Sequence, residues 1–308
     1  SYKEAGGARL QAVRGVDLAV AAGETVAVVG ESGSGKSSLV RAALGLVPVQ
    51  SGRVAFCGEA IPASLNDRGK ALRKDLQLVF QDPLGSLNPQ MRVVDAVAEP
   101  LLVHEPGSTG AERAAAVESM LTKVGLDDSY LERFPHELSG GQAQRVAIAR
   151  ALILKPRVLV CDEAVAALDG SVRETILELL REIQERTGLA IIFITHDLAV
   201  VRAVSHRVLV MYLGRLVEFA TSEALFAKAR HPYTQALLDA VPVPDPREPG
   251  GTASISGETP SALSPPPGCA FHTRCPHAAA VCTNELPQQR LVDGVTVACH
   301  RAEEIRGY

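Results

Sequence analysis

The chain has 308 residues, 46% of them hydrophobic and 21% charged, with a formal net charge of −4. That is ample apolar material for a packed core in one large domain or two smaller ones, and it leaves no basic footprint for nucleic acid. The longest apolar runs, Leu189 to Ile194 and Val208 to Leu213, are six residues each. A bilayer-spanning helix needs about 20, so neither a membrane crossing nor a signal peptide is expected. The chain opens on Ser1 without an initiator Met, as a piece of a longer polypeptide would.

Residues 9–60 read as short strands with turns at Ala22-Gly23 and Ser51-Gly52. Among them the apolar run Thr25-Val26-Ala27-Val28-Val29 leads into Gly30-Glu31-Ser32-Gly33-Ser34-Gly35-Lys36-Ser37-Ser38, a complete G-x-x-x-x-G-K-S loop. A helix is predicted from Lys36 to Leu44. Strand, glycine loop and helix start coincide, as phosphate binding requires. Glycines let successive backbone N–H groups turn toward phosphate oxygens, and the helix N-terminus adds a positive partial charge. Lys36 can reach β- and γ-phosphates, and the Ser37 hydroxyl can ligate Mg²⁺. An ordinary glycine-rich turn is the bland alternative.

Asp75 to Phe80 reads as another strand. Helical patterns run from about 92 to 154, interrupted by Pro100, Pro106 and Pro135. Within them, Leu138-Ser139-Gly140-Gly141-Gln142 precedes a helix predicted over 142–154. A hydroxyl, two glycines and a helix N-terminus make a second anion site. One nucleotide has no use for two such sites on one chain, so a second copy facing the first is expected. Val158-Leu159-Val160-Cys161 is a short buried strand ending at Asp162-Glu163. Alone, that acid pair is an ordinary strand end. Beside a phosphate loop, Asp162 can hold Mg²⁺ and Glu163 can orient and deprotonate water.

Residues 171–186 are amphipathic, with Val172, Ile176, Leu179, Leu180 and Ile183 at helical spacing and Gly188 as C-terminal cap. Ala190 to Thr195 is the next strand. Alternating strands and helices indicate a parallel α/β sheet. From Val241 to Gly268 the composition turns to Pro, Gly and Ser, an extended linker with little regular structure.

The chain resembles the nucleotide-binding subunit of an ATP-binding cassette (ABC) transporter from residue 2 to about 240. The phosphate loop, the Leu138–Gln142 signature loop, the Asp162-Glu163 strand and Thr195-His196-Asp197 follow the family's order and spacing. So do Phe80-Gln81-Asp82-Pro83 and Ala166-Ala167-Leu168-Asp169. Gln81-Asp82-Pro83-Leu84-Gly85-Ser86-Leu87-Asn88-Pro89 and His231-Pro232-Tyr233-Thr234 are similar to the dipeptide/oligopeptide branch of bacterial importers. Pro265-Pro266-Pro267-Gly268-Cys269 and Phe271-His272-Thr273-Arg274-Cys275-Pro276 are similar to that branch's C-terminal extension. Ser38 in place of the usual Thr, and Ala143 in place of a long polar residue, remove no required hydroxyl or charge.

The resemblance implies an α/β fold: a P-loop (RecA-like) cassette core with an antiparallel β subdomain, an inserted helical subdomain at about 84–154 and a short Cys-rich C-terminal extension. It divides the chain into an ATPase domain over 1–240, a linker over 241–268 and the extension over 269–308. It implies ATP and Mg²⁺ bound by Gly30, Ser32, Gly33, Ser34, Gly35, Lys36, Ser37, Ser38, Gln81 and Asp162, with Ser37, Gln81 and Asp162 on the metal. Tyr2 stacks on adenine, and Ser139, Gly140, Gly141 and Gln142 serve the nucleotide of a facing cassette. Glu163, His196 and Gln81 carry the catalytic roles. Implied partners are a second ABC ATPase domain (identical or different), permease subunits and an extracytoplasmic peptide-binding protein, with no nucleic acid. The implied location is peripheral, on the cytoplasmic face of the inner or plasma membrane. The alternatives are a soluble ABC ATPase acting on DNA or ribosomes, and a metal- or redox-sensing ATPase.

Of six cysteines, Cys57 and Cys161 lie in the body, and Cys161 is read as core packing. Cys269, Cys275, Cys282 and Cys299 crowd the tail, separated by five, six and sixteen residues. A reducing compartment disfavours disulfides, so clustered thiols suggest metal. C-x-x-C knuckles typical of zinc are absent, so a 4Fe–4S iron–sulfur cluster is the leading reading. Zinc and no metal stay open, and His272, His277 and His300 are possible substitute ligands. The tail is short and Pro-rich, with too little core to fold alone, so the metal is expected to supply its stability.

Overall fold

The computed structural model describes residues 2–3, 9–240 and 257–305. In chain order the principal strands are β1 (Thr25–Val29), β2 (Leu76–Val79), β3 (Val158–Asp162), β4 (Ala190–Ile194), β5 (Arg207–Tyr212), β6 (Arg215–Thr221), β7 (Arg290–Val292) and β8 (Val295–Val297). The principal helices are α1 (Lys36–Ala43), α2 (Val93–His104), α3 (Gly110–Lys123), α4 (Gly140–Leu152), α5 (Gly170–Thr187), α6 (Leu198–Val204) and α7 (Pro232–Asp239). The chain divides into two compact bodies. One comprises Ser1–Ala19, Val26–Ala55 and Thr195–Tyr308; the other comprises Val20–Thr25 and Phe56–Ile194.

In the first body the strand order is β7-β8-β6-β5-β1. β1 runs parallel to β5, with Val26 opposite Arg207 and Val29 opposite Val210. The remaining pairs are antiparallel. β1 is buried along its whole length, which is why it reads as a continuous apolar run rather than an alternating one.

The tail is built into this body. β8 hydrogen-bonds to β6 through the Glu218–Val297 and Phe219–Thr296 pairs. Phe271, Val292, Val295, Val297, Ala302 and Ile305 share one core with Val208, Val210, Tyr212, Val217 and Tyr233. The tail, expected to have too little core to fold alone, does pack its apolar residues into a core shared with the rest of this body. It needs no separate core, because it completes one begun by β5, β6 and α7. Residues 257–268 contain no helix or strand, as expected for that part of the linker. Residues 241–256 lie outside the described residues.

In the second body β2, β3 and β4 are parallel and adjacent in that order. α5 starts at its Asp169 cap, whose carboxylate accepts from the Val172 N–H, and ends at Gly188 in the left-handed conformation (φ 70°). α3 starts with a capping box between Thr109 and Glu112. Pro100 does not interrupt its helix. It sits inside α2, where burial of Val93, Ala96, Val97 and Leu101 offsets the missing N–H. The signature helix begins at Gly140, two residues before the predicted start.

Candidate nucleotide-binding site

The phosphate loop joins β1 to α1 in the first body. Gly30 has φ 147°, and a Cβ there would lie 2.2 Å from the Met211 carbonyl oxygen. Gly35, at the N-cap of α1, has φ 102°, and a Cβ would lie 2.3 Å from the Ala12 carbonyl oxygen. Only glycine fits either position, for want of both space and backbone freedom. Lys36 is buried, and its Nζ donates to the carbonyls of Gly30 at 2.7 Å and Glu31 at 2.9 Å. The ammonium is thus held inside its own loop. Among the described residues the buried Ser34 hydroxyl has no hydrogen-bond partner. Ser37 and Ser38 are half-buried in the first turn of α1, while Ser32 and Gly33 are exposed. Together these features fit an anionic phosphate chain and a Mg²⁺ ion.

His196 belongs to the same body. It is exposed in the turn before α6. Its neighbours hold that turn: Thr195 Oγ1 accepts from the Asp197 N–H, and the Asp197 carboxylate caps α6. The side chain of Tyr2 lies outside the described residues, so the adenine-stacking expectation has no structural counterpart.

The second body carries the acids. Asp162 is fully buried at the end of β3. Glu163 follows with φ 51°, in the left-handed region. Its N–H donates to the Ile194 carbonyl at 3.0 Å. Gln81, just past β2, donates through Nε2 to Glu163 Oε2 at 2.7 Å. The two residues assigned catalytic roles in this body are therefore in direct contact, because β2 and β3 are parallel neighbours and end together, with Val79 opposite Cys161. Cys161 is buried, and burial with the nearby Asp162 charge pushes its thiol up to about 12. It is inert packing, as expected.

Ser139 caps α4. Its hydroxyl accepts from the Gln142 N–H, and Gln142 Oε1 accepts from the Ser139 N–H at 2.9 Å. Gln142 Nε2 also donates to the Tyr130 hydroxyl at 3.0 Å. Ser139 and Gly140 are exposed, and Gly141 is half-buried. The signature residues thus present a rigid helix start to solvent.

The sequence reading missed Glu31, and with it a junction in the first body. Both Glu31 carboxylate oxygens accept from Arg274, at 2.8 and 3.0 Å, and Thr259 adds a hydroxyl at 2.9 Å. Burial pushes the Glu31 carboxyl up, but these bonds more than offset it and hold the group below the usual carboxylate range. The Glu31 N–H donates to the Tyr233 hydroxyl at 2.7 Å. Phe271 is buried edge-on against Tyr212 and Tyr233, with ring centroids 5.3 Å away in each case. The available signals were His231-Pro232-Tyr233-Thr234 and Phe271–Pro276, which mark the branch but carry no spacing that names their contacts.

Cys269, Cys275, Cys282 and Cys299 line one small cavity, together with His272 and His300. All are free thiols. Burial, then the neighbouring sulfurs, push Cys269 up to about 11; burial does the same for Cys299, also to about 11, and raises Cys275. His272 and His300 each place a ring nitrogen on a backbone carbonyl, that of Cys269 and of Glu285. Among the described residues no group of three or more His, Cys, Asp or Glu side chains closes on a single metal ion. The expected metal-binding tail therefore has its thiols gathered but no ready-made ion site.

A fully buried parallel strand, a loop whose Gly30 and Gly35 leave no room for a Cβ and a lysine folded onto its carbonyls define a P-loop ATPase cassette. The family profile described as "ABC transporter" matches residues 13–166, and the profile "Oligopeptide/dipeptide transporter, C-terminal region" matches residues 217–282. The chain belongs to the ABC transporter family of ATP-hydrolysing cassettes. It is 49% identical over 280 residues to the oligopeptide transport ATP-binding protein OppF of Escherichia coli (strain K12), covering 90% of this chain and 84% of that protein. It is 46% identical over 304 residues to the di/tripeptide transport ATP-binding protein DppF of Pseudomonas aeruginosa (strain UCBPP-PA14), covering 98% of this chain and 93% of that one. Among solved structures it is similar to the ATP-binding cassette MJ0796 in a dimeric post-hydrolysis state bound to ADP and Pi. That match has a TM-score of 0.63 and 31% identity over 68% of this chain and 90% of that one. Among the described residues no helix is long and apolar enough to cross a membrane.

Proposed function

We propose that this chain is the ATP-hydrolysing subunit of a bacterial peptide importer, working at the cytoplasmic face of the membrane against separate permease subunits. The observation that carries the reading is the phosphate loop joined, in one body, to a tail matching the oligopeptide/dipeptide transporter C-terminal region. The relatives are peptide-transport ATP-binding proteins. They lend no support to action on DNA or ribosomes, or to a sensor role. Lys36 and the N–H groups of residues 30–38 hold the phosphates, with Ser37, Gln81 and Asp162 serving Mg²⁺. Glu163 takes the proton of the attacking water, and His196 stabilises the γ-phosphate. The helices within 84–154 form the inserted subdomain through which movement reaches the permease. Differential affinity of ATP for a closed pair of cassettes supplies the drive. A periplasm-side peptide-binding protein completes the assembly. Purification with its native membrane partners, followed by an ATPase assay with and without peptide, tests the reading. Peptide-dependent stimulation is expected; association with no permease and indifference to peptide would overturn it.

The exposed signature loop faces the nucleotide of the opposing cassette. Ser139→Arg is therefore expected to abolish ATP-dependent dimerisation. Loss of the cap costs α4 about 0.5–2 kcal/mol, too little to unfold the chain. ATP affinity at Lys36 should stay within a few-fold. Both are read side by side, affinity by equilibrium binding and association by light scattering. Unchanged association would sink the shared-site reading.

The four tail cysteines hold an iron–sulfur cluster with a structural role. The support is four free thiols around one cavity, Cys282 and Cys299 buried and Cys269 and Cys275 half-buried. A bound cation would offset the burial penalty on the Cys269, Cys275 and Cys299 thiolates. Anaerobically purified protein should contain iron and sulfide in proportion to chain. Zinc alone would defeat the iron–sulfur form, and neither metal would defeat the site.

A further inference from the structure

We propose that Arg274, carried by the tail between two of its cysteines, is a positioning residue for the phosphate loop and acts through Glu31. The proposal rests on the ATP-binding reading of that loop.

Glu31 occupies a variable position of the G-x-x-x-x-G-K-S pattern, so nothing in the motif assigns its side chain a task. In the structure both its carboxylate and its backbone N–H are held. Arg274 grips its carboxylate with both terminal nitrogens, Thr259 adds a third bond, and Tyr233 takes its N–H. The carbonyl of the same residue, together with that of Gly30, accepts from Lys36 Nζ. A short path therefore links Arg274 to Glu31 and Glu31 to the phosphate-binding ammonium.

Exposed ion pairs contribute little, but this one is shielded. The Arg274 side chain is 6% exposed and that of Glu31 24%. A two-pronged guanidinium–carboxylate pair fixes direction as well as distance, which a single charge cannot do. Arg274 is itself fixed. It closes the short turn His272–Arg274, its N–H donates to the Phe271 carbonyl, and Nη1 reaches the Tyr212 hydroxyl at 3.3 Å. Phe271, one turn earlier, is packed between Tyr212 and Tyr233. The tail thus sets one end of the loop whose other end is set by Gly35 and α1.

A plain tether is the competing account. It predicts lower thermal stability for Arg274 variants and unaltered nucleotide affinity. A positioning role predicts that affinity moves. The test uses the full chain, equilibrium binding of a non-hydrolysable ATP analogue with Mg²⁺, and steady-state hydrolysis. Arg274→Ala should weaken binding about tenfold, the scale of a lost charge-assisted pair, and raise KM for ATP in step. The turnover at saturation should stay within a few-fold. Glu31→Gln should give a similar loss, and the Glu31→Gln/Arg274→Ala double variant should be no weaker than the worse single, because both break one link. Arg274→Lys keeps the charge without the fork and should fall between parent and Arg274→Ala. It also serves if Arg274→Ala does not fold. Affinity within twofold of the parent in the folded Arg274 variants, or losses that simply add in the double variant, would overturn the proposal. A parent chain with no measurable affinity for the analogue would overturn the ATP-binding reading as well, which separates the two failures.

Discussion

Glu163→Gln is expected to lower steady-state ATP hydrolysis about 10²–10⁴-fold, the usual cost of losing a positioned base, while ATP binding persists. The substitution is close to a clean removal of basicity. The amide has the size of the carboxylate and keeps an oxygen that can accept from Gln81 Nε2, now 2.7 Å from Glu163 Oε2. The backbone, held in the left-handed region at φ 51° by the bond to the Ile194 carbonyl, has no reason to move. Holding Glu in that conformation costs of order 1–3 kcal/mol, which fits a residue whose place is set by a task. Phosphate release and nucleotide affinity, measured on the same preparation, decide it. Turnover within a few-fold of the parent would remove Glu163 from the role of base.

Phe271→Ala is expected to destabilise the fold by about 3–5 kcal/mol, the range for truncating a buried aromatic. The thermal transition should fall on the order of 10 °C for a chain of this size. Phe271 is 2% exposed. Its ring meets those of Tyr212, Tyr233 and His231, with centroids 5.3, 5.3 and 5.8 Å away. The cavity left behind opens between the tail and the elements that carry the phosphate loop's supports. Thermal denaturation of the full chain, followed by circular dichroism, is the measurement. An independent tail would melt by itself and leave the main transition in place. An unchanged main transition would contradict the shared core.

Much of the site was legible in residue order because its rules are local. A G-x-x-x-x-G-K-S loop must follow a strand and open a helix, and Thr25 to Ala43 does so. Ser139 before its helix and Gly188 after α5 are local start and stop signals, and both stand at helix ends, though the signature helix opens two residues earlier than expected. The buried run before Asp162 announced a parallel strand by its lack of alternation. Propensity failed at Pro100, where the buried face of α2 outweighed the missing N–H. The larger blind spot was the tail. Between residues 31 and 274 no spacing or periodicity carries information, so the Glu31–Arg274 pair is invisible until the sheet brings β6 and β8 together. The tail's apolar residues are too sparse to announce a core, since most of that core lies in β5, β6 and α7. Residue order alone determined the phosphate loop, the acid pair and the Gly188 helix end, because each is built from neighbours. Only the tertiary structure decided that the cysteine-rich tail belongs to the phosphate loop's own body, because side chains more than 200 residues apart find each other through packing rather than through pattern.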